Sequence, residues 1–435
     1  MKTIIMAGGR GTRIAELFPN IPKPLIPVDG MPILEREIRL LASQGFDDLI
    51  LTVGYLANKI MAYFGDGSKL GVKIDYFVEE TPLGNAGALF HLKDKIGNEP
   101  FFLLNADAAF DVDFNRMLAF HQQHGGLVTL FTHPNSHPYD SGLIIADGDG
   151  KVEKWLSKED ERPQWYNNRV NAGLHVIDPK VLELGLGNLE IDPATGCPMG
   201  KVDLDRQILK PLCGTGKMFC YDSPEYVKDM GTPERFHQVE VDYKNGVVQA
   251  KNLHNKQKAI FLDRDGTINK YVGFLRNIDD FELIEGVSDA IKMINQSGYL
   301  AIVVTNQPVI ARGEVTWDEL HKIHKKMETL LGKDGAYIDG LYICPHHPDK
   351  GFEGERPEYK FDCECRKPKP GLLLQAAKDF NIDLSQSIMI GDSERDVEAG
   401  IKAGCYSSCS LQKNASYSLM EMMEEFCSVV LNSHA

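Results

Sequence analysis

The chain has 435 residues, and its 47 Lys+Arg against 62 Asp+Glu leave a formal net charge of −15 at pH 7. A hydrophobic fraction of 43% beside 25% charged residues excludes wholesale disorder, and at about 100–200 residues per domain the length implies two or three domains. The acidic balance argues against general nucleic-acid or anionic-membrane binding, because nothing offsets repulsion from phosphates, yet a local basic pocket can still take small anionic substrates.

Residues 3–6 form a predicted strand that enters the glycine turn Ala7-Gly8-Gly9. This opening is too short for a signal peptide and lacks a cleavage site. Buried strands are predicted over 49–53, 74–78 and 101–104, with helices over 33–43, 59–64 and 86–92 between them. Residues 128–178 carry more strands and loops, as an inserted substrate subdomain would. The polar, weakly periodic stretch 241–258 marks a boundary. Beyond it the rhythm restarts, with strands over 259–262, 300–305, 341–343 and 387–390 and helices over 286–296, 318–331 and 371–379. An amphipathic helix over 418–430 closes the chain, packing on its own domain or on a partner subunit. Strands alternating with helices predict an α/β chain of parallel strands and crossover helices. No run reaches about 18 apolar residues, so no spanning helix is expected.

The nine cysteines are odd in number and unevenly spread. Cys197, Cys213 and Cys220 are scattered, whereas Cys344, Cys363 and Cys365 cluster with histidines, which suits a cytoplasmic metal site and not a disulfide framework.

The densest signal in the first half is Ala7-Gly8-Gly9-Arg10-Gly11-Thr12-Arg13, followed by Pro22-Lys23-Pro24-Leu25. Glycines after a strand let backbone N–H groups approach a phosphate, and Arg13 and Lys23 supply the cations a triphosphate needs. The pattern lacks the third glycine of a dinucleotide fingerprint and the Gly-Lys-Ser/Thr of a P-loop. Asp107 follows a predicted strand, and Asp229 precedes the turn Met230-Gly231-Thr232-Pro233. Two carboxylates plus substrate phosphates are what Mg²⁺ usually accepts.

With Glu80-Thr81-Pro82-Leu83-Gly84-Asn85-Ala86-Gly87, Glu153-Lys154 and Asn171-Ala172-Gly173, these motifs resemble the sugar-1-phosphate nucleotidyltransferase family, most closely its guanylyltransferase branch. The resemblance implies that Ala7, Gly8, Gly9, Gly11, Thr12 and Arg13 hold the triphosphate and that Lys23 neutralises the α-phosphate. It implies Mg²⁺ on Asp107 and Asp229, the base near Glu80 and Gly84, the sugar phosphate near Lys154 and the sugar near Asn171. Ala106 stands where the family usually has Gly, a place where a methyl could crowd the ribose, and Asn85 where it usually has Thr.

In the second half, Phe261-Leu262-Asp263-Arg264-Asp265-Gly266-Thr267 puts two carboxylates directly after a strand. Asp263 can attack phosphorus, and Asp265 can protonate the leaving alcohol and then activate water. Thr305-Asn306-Gln307, Arg366-Lys367-Pro368 and Gly391-Asp392-Ser393-Glu394-Arg395-Asp396 supply phosphoryl donors, cations and metal carboxylates, all expected at carboxyl ends of strands and so at one edge of a sheet. Cys344-Pro345-His346-His347 and Cys363-Glu364-Cys365 fit a tetrahedral structural Zn²⁺ site, with His346 or His347 as the nitrogen ligand. Such an ion would tie down the polar loop over 348–362.

These are motifs of the haloacid dehalogenase phosphatase superfamily, and the zinc loop resembles that of its heptose-bisphosphate phosphatase branch, with the histidinol-phosphate phosphatases, which share the loop, as the close rival. The resemblance implies Asp263 as nucleophile and Asp265 as acid/base, with Thr305, Asn306, Arg366 and Lys367 at the phosphoryl group. It implies Mg²⁺ on Asp263, the Asp265 carbonyl and Asp392, with Asp396 near that metal, and it selects His346 beside Cys344, Cys363 and Cys365. Pro308-Val309 and Ser393 depart from the usual residues on the substrate side.

The two resemblances imply a Rossmann-like nucleotidyltransferase domain over 1–240, a linker over 241–257, a haloacid dehalogenase Rossmann-like domain with a zinc loop over 258–412, and a helical tail over 413–435. They point to a cytoplasmic bifunctional enzyme that makes a nucleotide-activated heptose for surface glycans. Its expected partners are sugar phosphates and GTP or another nucleoside triphosphate, with no nucleic acid or membrane, in a possible homo-oligomer. The competing readings are a mannose- or hexose-specific guanylyl- or uridylyltransferase on the same phosphatase, and a nucleotide-sensing first domain.

Overall fold

The computed structural model describes all residues except 10, 12, 15, 188, 412–418 and 433–435. The α/β chain forms two compact units. The first comprises Met1–His133, Ile144–Leu156 and Asn171–Asn252; the second comprises Pro134–Leu143, Ser157–Val170 and Leu253–Ala435.

In the first unit, strands Phe101–Asn105, Lys2–Ala7, Asp48–Val53 and Lys73–Val78 lie side by side in that order, all parallel. Ile4, Ile5, Leu49, Ile50 and Phe101 through Leu104 are fully buried, because helices cover both sheet faces, and the strands therefore read as continuous apolar runs. Strand Val170–Ile177 adds antiparallel to Phe101–Asn105. A separate two-stranded ribbon pairs Ala108–Asp111 with Tyr226–Asp229, with Ala108 opposite Asp229.

Residues 241–252, expected within a linker, are mostly helical. Helix Pro233–Lys244 starts from a Thr232 cap with Pro233 in its first turn, and Val247–Ala250 follows. Val239, Tyr243 and Val248 are buried with Ile26, Val28 and Tyr226. The polar outer faces of these short helices mask that stripe in the sequence.

The second unit holds a five-stranded parallel sheet in the order Gly340–Cys344, Leu300–Asn306, Ala259–Leu262, Ile388–Gly391, Ser407–Ser410. Helix Trp317–Lys333 opens with a capping box between Thr316 and Glu319. Helix Leu419–Asn432 buries Leu419 and Met423 in one cluster with Val287 and Ile291 of helix Val287–Gln296. Among the described residues no helix is long and apolar enough to cross a membrane.

Candidate active sites

In the first unit, Lys23 is 7% exposed. Its Nζ lies 3.1 Å from Asp107 Oδ2 and 3.5 Å from Asp229 Oδ1. Asp107 sits between strands Phe101–Asn105 and Ala108–Asp111, and the ribbon register delivers Asp229 beside it. Arg235 Nη1 donates to Asp229 Oδ2 at 2.6 Å, and the Gly231 N–H donates to Oδ1 at 2.8 Å. Burial works to raise the Asp229 carboxyl, but Lys23, Arg235 and that N–H outweigh it and hold it below its ordinary value.

Glycine is needed at two places here. A methyl on Gly231 would come within 3.0 Å of both Arg13 Nη2 and Asp229 Oδ1, which puts the Arg13 guanidinium beside that carboxylate. Gly11, at φ +57°, presses on the Lys23 side chain, where a methyl would stand 3.1 Å from Cβ. Lys23, Asp107 and Asp229 therefore converge at the carboxyl edge of strands Lys2–Ala7 and Phe101–Asn105, where the Ala106 N–H donates to the Met6 carbonyl, with Arg13 on the Asp229 side. Two carboxylates around one ammonium fit Mg²⁺, which takes one or two carboxylates and completes its shell with substrate oxygens. Thr12 lies outside the described residues.

The residues expected at the base and sugar make no direct bond to this group. Among the described residues, Glu80, Lys154 and Asn171 form no hydrogen bond or ion pair with Lys23, Asp107 or Asp229. Asn171 Oδ1 faces His175 Nε2 at 3.2 Å. Gly84, at φ +80°, bridges Val202, and a side chain there would overlap the Val202 backbone. Asn85 Oδ1 accepts from the Leu204 N–H at 2.7 Å, so the residue standing in place of the usual Thr ties this loop to residues 202–204. Ala106 is 1% exposed and packs with Ile5, Ala7 and Leu104, so its methyl faces the core.

One residue that sequence reasoning missed is Glu37. It is 1% exposed, and neither carboxyl oxygen has a hydrogen-bond partner among the described residues. Burial, reinforced by the Asp107 charge, pushes its carboxyl well above the ordinary value. The available signal was its place on the apolar stripe of helix Ile33–Ser43, in step with Leu34, Ile38 and Leu41.

In the second unit, Asp263 follows the central strand, Asn306 ends one neighbouring strand and Asp392 follows the other. Parallel register places all three at one sheet edge, whereas Arg366 and Lys367, expected at a strand end, come from the loop before helix Gly371–Asp379. Lys367 Nζ lies 2.9 Å from Asp263 Oδ1 and 2.6 Å from Asp396 Oδ1, and donates to the Val304 carbonyl at 2.8 Å. Carboxylate oxygens of Asp263, Asp392 and Asp396 lie within 4.8 Å of one another. Burial raises Asp263 to about 7 against the pull of Lys367, and raises Asp392 to about 6 with help from the Asp396 charge. Three carboxylates facing one ammonium leave an uncompensated negative charge that suits a divalent cation.

The Asp265 carboxylate is outside that group; Arg264, Gln307 and Asn269 hold it instead. Asn306 spends its amide on both backbone groups of Lys367, at 3.0 Å each, and so positions the lysine. Thr305 Oγ1 accepts from Gln307 Nε2 at 2.9 Å, and Arg366 Nη1 donates to the His346 carbonyl at 3.1 Å. Gly266 has φ +81°, and a methyl there would overlap Asp392. Gly266→Ala is expected to cost about 2 kcal/mol or more in urea unfolding, through the left-handed backbone and the displaced carboxylate. A wild-type midpoint in the variant would show that the turn relaxes freely.

The four soft ligands also meet. Sulfur and nitrogen separations are 3.6 Å for Cys344–His346, 3.5 Å for Cys344–Cys363, 3.3 Å for His346–Cys365 and 3.2 Å for Cys363–Cys365. These are far too long for disulfides and close to the edges of a tetrahedron around Zn²⁺, about 3.8 Å for Zn–S bonds of about 2.3 Å. The set contains His346. His347 stands outside it, accepting from the Asp349 N–H at 3.2 Å. Metal analysis should find about one zinc per chain, and Cys365→Ser should lose most of it and melt at least about 5 °C lower. A full zinc complement in that variant would refute the four-ligand assignment.

Comparison with known proteins matches this division. The Nucleotidyl transferase family profile covers residues 2–246, and a HAD-hydrolase-like profile covers 364–411. A D-glycero-beta-D-manno-heptose-1,7-bisphosphate 7-phosphatase of Haemophilus influenzae is 48% identical over 147 residues, 34% of this chain and 77% of the relative. The Vibrio cholerae protein of the same name is 38% identical over 175 residues, 40% of this chain and 91% of the relative. Among solved structures, HddC from Yersinia pseudotuberculosis aligns with TM-score 0.46 and 22% identity, covering 56% of this chain and 99% of that one. The chain belongs to the nucleotidyl transferase family and joins to it a phosphatase of the haloacid dehalogenase type, so that one polypeptide is a bifunctional nucleotidyltransferase and phosphatase.

Proposed function

We propose that the second unit removes the C7 phosphate of D-glycero-D-manno-heptose 1,7-bisphosphate and that the first unit transfers GMP from GTP to the resulting heptose 1-phosphate, releasing pyrophosphate. The observation that carries this reading is the presence of two separate carboxylate-and-lysine groups, Lys23–Asp107–Asp229 and Lys367–Asp263–Asp392–Asp396, in one chain. The product of one reaction is a substrate type for the other, which a pairing with an unrelated phosphatase would not provide. The phosphatase assignment draws on the relatives' names, and the guanylyl preference on the glycine-turn motifs. The thiol-rich metal group favours a reducing compartment, the cytoplasm.

Asp263 attacks the C7 phosphorus while Asp265 protonates the departing C7 oxygen. Asp265 then takes a proton from water as it cleaves the aspartyl phosphate, returning Asp263 and releasing phosphate. Lys367 offsets the charge of the phosphoryl group. In the first unit the attacking phosphate of heptose 1-phosphate is already ionised, so no base is needed. Arg13 and Lys23 bring two anions together and neutralise the α-phosphate as pyrophosphate leaves. Mg²⁺ bound at the two carboxylate groups supplies further charge neutralisation.

The test is purified full-length protein with heptose 1,7-bisphosphate, Mg²⁺ and each nucleoside triphosphate in turn. Phosphate, pyrophosphate and a product of the mass of GDP-heptose are expected with GTP. Phosphate without pyrophosphate under every nucleotide would rule out the transferase half. Pyrophosphate with mannose 1-phosphate but not heptose 1-phosphate would reassign the sugar.

A further inference from the structure

The acid/base carboxylate Asp265 is held by a buried relay. Arg264 Nη2 donates to its two oxygens at 2.8 and 2.7 Å, Gln307 Nε2 donates at 2.8 Å and Asn269 Nδ2 at 3.1 Å. The Arg264 side chain is fully buried. Its other terminal nitrogen, Nη1, lies 2.9 Å from Nε2 of His324, a 2%-exposed residue of helix Trp317–Lys333. A guanidinium only donates, so Nε2 is the acceptor and the imidazole proton sits on Nδ1. That Nδ1 is buried and has no partner among the described residues. An unsatisfied buried N–H is unfavourable, and an apolar side chain would avoid it. The imidazole therefore stands there at a cost, offset by its contact with Arg264. Burial and the neighbouring guanidinium both keep it neutral.

We propose that His324 is a positioning residue of the phosphatase: by accepting from Arg264 it fixes the guanidinium fork that aims the Asp265 carboxyl at the leaving oxygen. The inference rests on the phosphatase reading of this site. It implies a defect in the first, phosphoryl-accepting step only for leaving groups that need a proton, since the later hydrolysis uses Asp265 with every substrate.

The experiment compares full-length wild type, His324→Leu and His324→Gln on heptose 1,7-bisphosphate and on p-nitrophenyl phosphate, whose phenolate departs without protonation. For His324→Leu, kcat on the bisphosphate should fall about tenfold or more with KM within about twofold, and the first-turnover burst rate of p-nitrophenolate, which precedes the hydrolysis step that also uses Asp265, should stay within about twofold. His324→Gln, whose Oε1 overlays Nε2 as an acceptor, should recover most of the loss. An equal fall on both substrates, or a glutamine variant as poor as leucine, would reduce His324 to a packing residue. If the leucine variant lacks the wild-type Tm and zinc content, His324→Asn, whose shorter amide cannot reach Arg264, takes its place in the comparison. Wild-type protein inactive on both substrates would overturn the phosphatase reading itself, whereas an unchanged ratio of the two rates in the variants overturns only the role of His324.

Discussion

Asp263→Asn protein is expected to release no measurable phosphate from heptose 1,7-bisphosphate, a loss of at least about 10³-fold, while it still forms pyrophosphate from GTP and heptose 1-phosphate. The carboxylate sits at the end of the central strand, 2.9 Å from Lys367, and among the described residues its neighbours Asp392 and Asp396 are the acids grouped with it. Neither can replace it, because Asp396 is bound to Lys367 and capped by Ser393, and Asp392 follows the next strand. The substitution also removes one of three crowded carboxylates. The metal-free variant should therefore melt no lower than wild type, and the rise in Tm on adding Mg²⁺ should shrink. Phosphate release above about one hundredth of wild type would place the nucleophile elsewhere. Loss of both activities with an unchanged Tm would end the idea of independent sites.

Lys23→Met is expected to reverse the pattern. Pyrophosphate formation should drop about 10²–10³-fold, or about 3–4 kcal/mol of transition-state stabilisation, with phosphate release unchanged. Lys23 is the cation between Asp107 and Asp229, and its flexible stem is immobilised by burial against Gly11. Methionine keeps the length and apolar contacts of that stem but removes the charge. The two carboxylates then face each other, so the Mg²⁺ concentration needed for half-maximal rate should fall or hold steady while kcat collapses. A KM effect on GTP with kcat intact would instead make Lys23 a ground-state anchor. Asp107→Asn should also lose transferase activity, through metal binding.

The two halves differ in how readily their chemistry could be read. Asp263 and Asp392 directly follow apolar strands, so the strand pattern and the acidic residues after it locate them together. Lys23, Asp107 and Asp229 are separated by 84 and 206 residues in their pairings, and only shared motifs suggested that they meet. Arg264 gave no such signal, since an arginine between two aspartates reads as a solvated turn, whereas His324 stands on an apolar stripe with Leu320, Met327 and Leu331, the same kind of signal that Glu37 carried. Both are buried because the helix Trp317–Lys333 turns that face inward.

What the amino-acid order established alone was local: strand and helix periodicity, glycine turns, and which chemical groups stand at strand ends. These follow from backbone geometry and from residues within a turn or two of each other, so they can be read without knowing the rest of the chain. Folding in three dimensions settled the remainder. It chose His346 over His347 for the thiol group, turned the Ala106 methyl into the core, buried Glu37 unpaired near Asp107, and extended the first unit through the helices that end at Ala250. Each of these depends on which side of an element faces inward and on what a distant segment places opposite it, and no period in the sequence encodes that pairing.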